Sequence, residues 1–268
     1  MTELSIVITS WNVAPLLANC LRSIPTGADG LDYQVTVVDN ASADGSAEMV
    51  ARDFPEVQLI RNTENVGFGK ANNQGIRVGQ GRYVLLLNSD TVVPEGALAQ
   101  LVSFMDQHPD AGACGPRLIR PNGTPQPYAF GGDPTLGYLL ARGLNQLLFR
   151  RYLHDWVTDI VQEVDWVSGA CLLVRRQAIE QVGMLDENIF MYFEDNDWCL
   201  RIRKAGWKVY YNPLVSIVHL GGQSLAQNPA ARQVYYHSLN YFYAKHYSPL
   251  ARLSLQMGLL PYRVLVKH

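Results

Sequence analysis

The feature that most constrains the fold of this 268-residue chain is a short apolar run, Tyr83–Leu87, which ends abruptly in Asn88, Ser89 and Asp90. A wholly apolar run of this length is typical of a strand buried on both faces of a parallel sheet. Ligands of open α/β sheets bind at the carboxyl ends of such strands. A carboxylate at that position can hold a hard cation, and the cation can hold a phosphate. Taken alone, the segment fits a simple polar turn equally well.

Strand-like and helix-like segments alternate through the first 110 residues, a pattern that predicts right-handed crossovers and a parallel sheet. In chain order, the predicted strands and helices are Leu4–Thr9, Pro15–Ile24, Tyr33–Val38, Ser46–Phe54, Val57–Arg61, Gly67–Val78, Tyr83–Leu87 and Glu95–His108.

The pattern changes after Pro109, where strands, helices and a Pro/Gly-rich loop follow one another less regularly. The predicted segments are a strand near Ala113–Leu118, the loop Pro121–Pro134, an amphipathic basic segment Leu139–Leu153, a strand Val164–Arg175, a helix Asp195–Ala205, and strands Trp207–Tyr211 and Val215–Leu220. Because no repeat or low-complexity linker interrupts the chain, we expect one continuous domain with a variable second half.

The composition is that of an ordinary globular protein, with 48% hydrophobic and 17% charged residues. No apolar run approaches the ~20 residues that span a bilayer. The beginning of the chain, Met1-Thr2-Glu3, lacks the basic region of a signal peptide. The four cysteines lie in apolar contexts without a CxxC pair, which predicts buried thiols in a reducing compartment: Cys20, Cys114, Cys171 and Cys199.

The net charge of −2 conceals an asymmetry along the chain. All 24 acidic residues lie at or before Asp197, so the first 197 residues carry −11 and the last 71 carry +9. Aromatic residues interleave the basic tail, and this composition suits an anionic surface such as lipid head groups or a diphosphate. Nucleic acid is a less suitable partner because the positive segment is also strongly apolar. Helices packed on the domain, or on a second copy in a homodimer, are the competing interpretation.

Hydroxyl, amide and acid groups follow three successive predicted strands. They are Thr9, Ser10 and Asn12 after the first, Asp39 after the second, and Asn88, Ser89 and Asp90 after the strand that begins at Tyr83. Neither G-x-G-x-x-G nor a P-loop is present, so no glycine nest cradles a phosphate here. The Asp39 carboxylate can accept a hydrogen bond from a pyrimidine imide or from a ribose hydroxyl. Each signal is weak alone, since Asp and Asn are common turn formers, but together they indicate a polar ligand.

Seven segments of the chain closely resemble family 2 glycosyltransferases of GT-A fold, most closely the bacterial rhamnosyltransferase-like branch. They are residues 5–12 (SIVITSWN), 37–46 (VVDNASADGS), 65–75 (NVGFGKANNQG), 88–90 (NSD), 166–176 (WVSGACLLVRR), 190–201 (FMYFEDNDWCLR) and 219–224 (HLGGQS). The resemblance covers residues 4 to about 225. It implies an α/β GT-A fold with a mostly parallel central sheet flanked by helices.

The resemblance also implies a division of the chain. Residues 1–225 would form the glycosyltransferase domain, with residues 1–110 as the nucleotide-binding half and 111–225 as the acceptor and catalytic half. Residues 226–268 would form a helical, basic-aromatic tail. The residues that the resemblance assigns to the nucleotide-sugar are Thr9, Ser10, Asn12, Asp39, Asn65, Gly67, Asn73, Asn88, Ser89 and Asp90. Those that it assigns to the acceptor side are Ser168, Gly169 and Trp198.

Asp195 matches the catalytic base of the resembled family, and Glu194 precedes it, placed to orient the base or the acceptor. Both carboxylates lie at the start of a predicted helix, where the helix dipole favours their ionised form. An inverting transfer needs such a base opposite the leaving nucleotide diphosphate.

The expected metal site departs from the commonest form of the family. Many relatives have Asp-x-Asp where this chain has Asn88-Ser89-Asp90, so only one carboxylate remains. Asp90 would be the main ligand and His219 matches the distant histidine ligand. The resemblance therefore implies a divalent cofactor, Mg²⁺ or Mn²⁺, held weakly and completed by diphosphate oxygens and water.

These inferences predict an inverting glycosyltransferase. It would move L-rhamnose from dTDP-rhamnose, or a hexose from a UDP-sugar, to a glycan or lipid-linked acceptor in cell-envelope polysaccharide synthesis. The expected location is the cytoplasmic face of the cell membrane, bound peripherally to anionic lipid. The alternative is a non-catalytic relative that binds a sugar-nucleotide or a glycan. A sugar-1-phosphate nucleotidyltransferase is less compatible, because its glycine-rich first loop with Arg and Lys is missing.

Overall fold

A computed structural model describes residues 2–150, 153–221 and 230–265 of the chain. Within these ranges the protein has eleven strands and nine helices. The predicted domain boundary between residues 225 and 226 lies outside the described residues, as does the part of the late histidine motif after Gly221.

The first half alternates strands and helices as the sequence predicts. Its elements are β1 (Leu4–Ser10), α1 (Ala14–Gly27), β2 (Tyr33–Asp39), α2 (Ser46–Asp53), β3 (Gln58–Arg61), α3 (Phe68–Val78), β4 (Tyr83–Leu87), β5 (Thr91–Val92) and α4 (Ala97–Gln107). All five residues of β4 are buried, because helices cover both faces of the sheet at its centre. A proline in the first turn of α1 suits the helix start, where its missing N–H costs no hydrogen bond.

The second half is less regular. Its elements are β6 (Ala111–Ile119), β7 (Phe130–Gly131), α5 (Leu136–Phe149), β8 (Gln162–Glu163), β9 (Trp166–Val167), β10 (Cys171–Arg175), α6 (Arg176–Val182), α7 (Glu194–Lys204), β11 (Lys208–His219), α8 (Ala231–His246) and α9 (Pro249–Leu265).

Two strand predictions in this half were wrong in their extent. The predicted strand Val164–Arg175 is divided into β9 and β10 by a tight turn, in which the Cys171 N–H donates to the Ser168 carbonyl at 3.2 Å. The two strands predicted between residues 207 and 220 are one continuous strand, β11. A shift of its register with β6 between Asn212 and Ser216 explains the polar interruption in the sequence.

The main sheet is mixed, with strand order β3-β2-β1-β4-β10-β6-β11-β5, and β8 also pairs with β11. The half from β3 to β4 is parallel, whereas β10 runs antiparallel to both β4 and β6. The register places Ser10 beside Asp39, and it places His219 opposite Thr91. Polar residues that are distant in sequence are therefore brought to neighbouring strand ends, and the predicted α/β fold with helices flanking a central sheet is confirmed.

Helix α8 packs on the body of the protein through a small second core. Phe242 and Tyr243 are fully buried there, against Phe193 and Leu200. The free cysteines are also buried, as the sequence predicts. Within the described ranges, no helix combines the length and the apolar character that crossing a bilayer requires.

Candidate active site

The ends of β1 and β4 open into a cavity of about 990 Å³, a volume within the usual range of ligand pockets. Its wall also includes the start of α7 and parts of α5 and α8. The predicted site residues in this wall are Thr9, Asn65, Gly67, Asn88, Ser89, Asp90, Ser168, Gly169, Glu194, Asp195 and His219. Residues from both halves of the chain therefore face one space.

Asp90 and His219 lie side by side at the end of β4. The Nε2 atom of His219 is 3.3 Å from Asp90 Oδ1 and also 3.3 Å from Asn88 Nδ2. The Gly221 N–H donates to Asp90 Oδ2 at 3.1 Å, and the Leu220 N–H donates to the Asp90 carbonyl at 3.0 Å. The segment after β11 thus holds the carboxylate in place with one oxygen directed at the imidazole.

Gln126 determines which nitrogen of His219 carries the proton. Its Oε1 atom lies 2.8 Å from His219 Nδ1, and its Nε2 donates to the His219 carbonyl. Because Oε1 can only accept, the Nδ1 atom is the donor. In the neutral ring, Nε2 is then an acceptor, 3.3 Å from the Asn88 Nδ2 amide, which can donate to it, and 3.3 Å from Asp90 Oδ1. A histidine that binds a metal through one ring nitrogen usually donates a hydrogen bond of this kind from the other ring nitrogen.

The donor set therefore fits a divalent cation only in part. A carboxylate oxygen and an imidazole nitrogen suit Mn²⁺, and the Asn88 amide supplies a further oxygen if its side chain is reversed. Among the residues that the structure describes, no three His, Cys, Asp or Glu side chains cluster closely enough to hold a metal ion. Any cation bound between Asp90 and His219 must take its remaining ligands from a substrate and from water.

Three polar atoms at the ends of β1 and β2 are buried without a hydrogen-bond partner: Thr9 Oγ1, Ser10 Oγ and Asp39 Oδ1. The other carboxylate oxygen of Asp39 accepts the Ser42 N–H at 3.0 Å, which fixes the side chain. A buried polar atom left unpaired costs ~1–3 kcal/mol, so such atoms are uncommon away from ligand sites. Three such atoms on two adjacent strand ends are therefore available to hydrogen-bond a polar ligand.

Asn65 and Gly67 connect the first half of the chain to the loop before α7. The Asn65 side chain accepts the Gly67 N–H at 3.0 Å and a hydrogen bond from Asn40 Nδ2 at 3.2 Å. Gly67 has φ of +88°, and a Cβ atom there would lie 2.7 Å from the Phe190 carbonyl oxygen. A side chain at position 67 would clash with Phe190 and push the two segments apart, which explains why a glycine occupies this position.

Asp195 is the carboxylate best placed to act as a base. It lies in the first turn of α7 and faces the cavity, half-buried. Its Oδ2 accepts the Gly169 N–H at 3.0 Å, and its Oδ1 accepts the Asn196 N–H at 2.8 Å. Burial raises the pKa of Asp195 above its ordinary value, while these two N–H groups oppose the shift. A raised pKa makes a carboxylate a stronger base near neutral pH.

Glu194 is buried beside Asp195, and its Oε2 atom has no hydrogen-bond partner. Burial, together with the neighbouring charges of Asp195 and Asp197, raises the pKa of Glu194 well above its ordinary value. Because both oxygens of Asp195 accept N–H hydrogen bonds, Asp195 ionises more readily than Glu194. Of the two carboxylates, Asp195 is therefore the one whose ionised form is better stabilised by hydrogen bonds.

The backbone before α7 is strained. Tyr192 and Phe193 have φ of +66° and +70°, a conformation that bulky residues rarely adopt. Each such residue costs ~1–3 kcal/mol, and strain of this kind occurs mainly at functional sites. The two residues turn the chain sharply so that the first turn of α7 points into the cavity.

Several predicted site residues lie outside the cavity wall. Asn73 pairs with the backbone N–H and carbonyl of Leu185, at 3.0 and 2.8 Å. Trp198 is fully buried, and its indole N–H donates to the Gly183 carbonyl at 2.9 Å. Asn12 accepts the Ala43 N–H at 2.7 Å and organises the loops after β1 and β2. These side chains support the site from behind, whereas Ser10 and Asp39 lie at the strand ends beside it.

The sequence did not identify the contribution of α5 and α8. Tyr138 and Arg142 of α5, and Arg232 and Tyr235 of α8, line the cavity. Their sequence signal was the amphipathic basic character of the first segment and the basic-aromatic character of the tail, which suits an anionic surface such as lipid head groups or a diphosphate. Gln126 was also missed, because a glutamine in a Pro/Gly-rich loop carries no local pattern.

Comparisons with known proteins agree with this geometry. The family described as "Glycosyl transferase family 2" matches residues 5–183 of the chain. The chain is 31% identical to the "N-acetylglucosaminyl-diphospho-decaprenol L-rhamnosyltransferase" of Mycobacterium tuberculosis, over 91% of this chain and 84% of that protein. It is 28% identical to the "dTDP-rhamnosyl transferase RfbF" of Shigella flexneri, over 81% of this chain and 68% of that protein.

A similar fold occurs in a solved structure, a mannosyltransferase from Pyrobaculum calidifontis in complex with GDP-Man and Mn²⁺. The TM-score is 0.59 and the sequence identity is 18%, and the match covers 98% of this chain and 82% of that one.

Proposed function

The chain belongs to glycosyltransferase family 2, and from this premise we propose that it transfers L-rhamnose from dTDP-rhamnose, with inversion, to a lipid-linked acceptor. A hexose from a UDP-sugar is the second choice of donor. The observation that carries the proposal is that Asp195, a carboxylate with a raised pKa, faces the same cavity as the Asp90–His219 pair. One end of the cavity then suits a diphosphate, and the other suits an acceptor hydroxyl.

The donor would bind across the strand ends. Asp39 has one unpaired, buried oxygen, which suits the imide N–H of thymine or uracil. The unpaired hydroxyls of Thr9 and Ser10 offer further hydrogen bonds to the nucleotide. The names of the rhamnosyltransferase relatives support dTDP-rhamnose over the other donors.

In the chemical step, Asp195 removes the proton from the acceptor hydroxyl while the resulting oxygen attacks the anomeric carbon of the sugar. The bond from that carbon to the diphosphate oxygen breaks, and the electron pair leaves with the nucleotide diphosphate. Attack opposite the leaving group inverts the configuration. Gly169 and Asn196 hold the base through their N–H groups, while burial raises the pKa of the neighbouring Glu194, which has no such pair of donors.

Asp90 and His219 would hold a divalent ion, Mg²⁺ or Mn²⁺, together with the donor diphosphate. Such an ion supplies positive charge to the leaving group. Since the described protein side chains provide so few ligands, we expect tight binding only when the nucleotide is present. Full activity after dialysis against EDTA would exclude this role.

The acceptor would be reached from the cytoplasmic face of a membrane. Helix α5 contacts α9, and both expose apolar side chains: Leu140, Leu144, Leu147, Leu148 and Phe149 on α5, and Leu250, Leu253 and Met257 on α9. The exposed fractions of Leu147 and Leu250 are 78% and 72%. Combined with a net charge of +9 in the last 71 residues, these surfaces suit anionic lipid.

Nucleotide release tests the proposal directly. With dTDP-rhamnose, a short-chain lipid diphosphate N-acetylglucosamine and Mn²⁺, we expect release of dTDP that depends on both acceptor and metal. Binding of the donor without any turnover, across a panel of dTDP- and UDP-sugars, would indicate the non-catalytic alternative.

A further inference from the structure

Two arginines that the proposed mechanism does not use face the cavity from the helical side. Arg142 lies on α5 and Arg232 on α8. The guanidinium of Arg142 hydrogen-bonds the hydroxyl of Tyr235, and that of Arg232 hydrogen-bonds the hydroxyl of Tyr236. Two helices from distant parts of the chain therefore direct positive charge into one part of the cavity.

This part of the cavity is next to the base. The ring of Tyr235 lies 5.0 Å from that of Phe193 and 5.8 Å from that of Tyr192, measured between centroids. Those two residues lead directly into Glu194 and Asp195. The tyrosine that contacts Arg142 is thus packed on the strained turn that leads into Asp195.

Arg142 is half-buried and is surrounded by tyrosines rather than acids. Burial by itself would lower the pKa of its guanidinium, but the hydrogen bond with Tyr235 and the nearby Tyr128 and Tyr138 raise it. In the part of the chain that the structure describes, no carboxylate forms an ion pair with Arg142. A charged guanidinium in this setting retains donors for an anion, and phosphate is the anion that its planar fork fits best.

We propose that Arg142 and Arg232 bind the phosphate group through which the proposed acceptor is joined to its lipid carrier. The proposal deepens the proposed function and rests on it. On the opposite face of α5 from Arg142, Leu140, Leu144 and Leu147 are exposed at intervals of four and three residues, an apolar stripe that suits a lipid surface.

The diphosphate of the donor is the other anion that two arginines could bind. The two sources are separated by titrating farnesyl diphosphate, which carries the lipid and the phosphates but no sugar, into protein saturated with dTDP and Mn²⁺. Calorimetry then measures binding of the lipid diphosphate alone. The variants are Arg142→Gln, Arg142→Lys and Arg232→Gln, and the matched control is Arg22→Gln on the exposed surface of α1.

The wild-type protein and the Arg22→Gln control should bind farnesyl diphosphate with equal affinity. Arg142→Gln should weaken that binding about tenfold or more, the usual effect of losing a charge-assisted hydrogen bond. Arg142→Lys, which keeps the charge, should lose less. The affinity for dTDP should be unchanged in all variants.

Three results would overturn the proposal. They are no binding of farnesyl diphosphate to the wild-type protein, equal binding to wild type and Arg142→Gln, and a loss of dTDP affinity in Arg142→Gln, which would assign the arginines to the donor. Because the titration requires no sugar transfer, its outcome is independent of whether rhamnose is the transferred sugar or Asp195 is the base.

Discussion

Replacing Gln126 tests whether its hydrogen bonds fix the orientation and tautomer of His219 for binding a metal ion. The Gln126 side chain makes two hydrogen bonds to His219, one from the Nδ1–H to Oε1 at 2.8 Å and one from Nε2 to the carbonyl oxygen. Gln126→Leu removes both and leaves the ring free to rotate or to change tautomer. Losing such a partner of a ligating histidine costs ~10–100-fold in metal affinity. In free energy this is ~1.4–2.7 kcal/mol.

The matched variant is Gln126→Glu, which still accepts the Nδ1–H but no longer donates to the carbonyl. We therefore expect Gln126→Glu to keep most of the Mn²⁺ affinity and Gln126→Leu to lose it. The assay is Mn²⁺ binding in the presence of dTDP, followed by electron paramagnetic resonance, together with the Mn²⁺ dependence of turnover. Equal Mn²⁺ affinity in wild type and Gln126→Leu would show that this hydrogen bond does not prepare a metal ligand.

Three further outcomes follow from the described contacts. Asp39→Ala should weaken dTDP binding by ~1–3 kcal/mol, and unchanged affinity by calorimetry would remove Asp39 from the site. Against the effect of burial, hydrogen bonds from His246 and Lys245 lower the pKa of Asp197. Asp197 therefore adds to the free energy of unfolding above pH ~4, and this contribution is lost as the pH falls. In Lys245→Met, the free energy of unfolding measured in urea should depend less on pH in the acid range. Leu147→Glu should reduce salt-sensitive co-sedimentation with anionic vesicles without changing stability, and unchanged co-sedimentation would argue against α5 as a membrane surface.

The membrane test must leave α8 intact. Removing everything after Ala231 would delete most of the basic tail. The structure shows that such a truncation would remove Phe242 and Tyr243, which are fully buried, and His246, which contacts Asp197 at 2.6 Å. A loss of binding would then reflect unfolding, because a large buried aromatic residue contributes ~3–5 kcal/mol to stability. A single exposed residue on α5 avoids this difficulty.

The sequence predicted the first half of the fold well because local patterns are sufficient there. In β4, every residue is buried, so its apolar run is continuous, and Asn88 marks where burial ends. Strand order is not a local property. The antiparallel insertion of β10 between β4 and β6 depends on which edge is available after the first four strands have paired, and no residue in Cys171–Arg175 encodes the direction.

In the candidate site, too, residues in local motifs were predicted and residues placed by tertiary packing were not. Asp90, Asp195 and His219 were predicted because each stands in a recognisable motif. Arg142 was not predicted as a site residue, since its role depends on how α5 packs against α8. The basic and aromatic residues of these helices predicted an anionic partner, but the sequence did not show that some of them line the cavity.

The identity of the base is the central claim, and paired substitutions of Asp195 and Glu194 test it most directly. Asp195→Asn preserves the size of the side chain, so dTDP-rhamnose affinity should be kept while turnover falls by ~10²–10⁴. Glu194→Gln should keep more activity, because burial raises the pKa of Glu194 and Asp195 is the carboxylate held by the Gly169 and Asn196 N–H groups. Near wild-type turnover in Asp195→Asn, together with an inactive Glu194→Gln, would contradict the account and move the base one residue back.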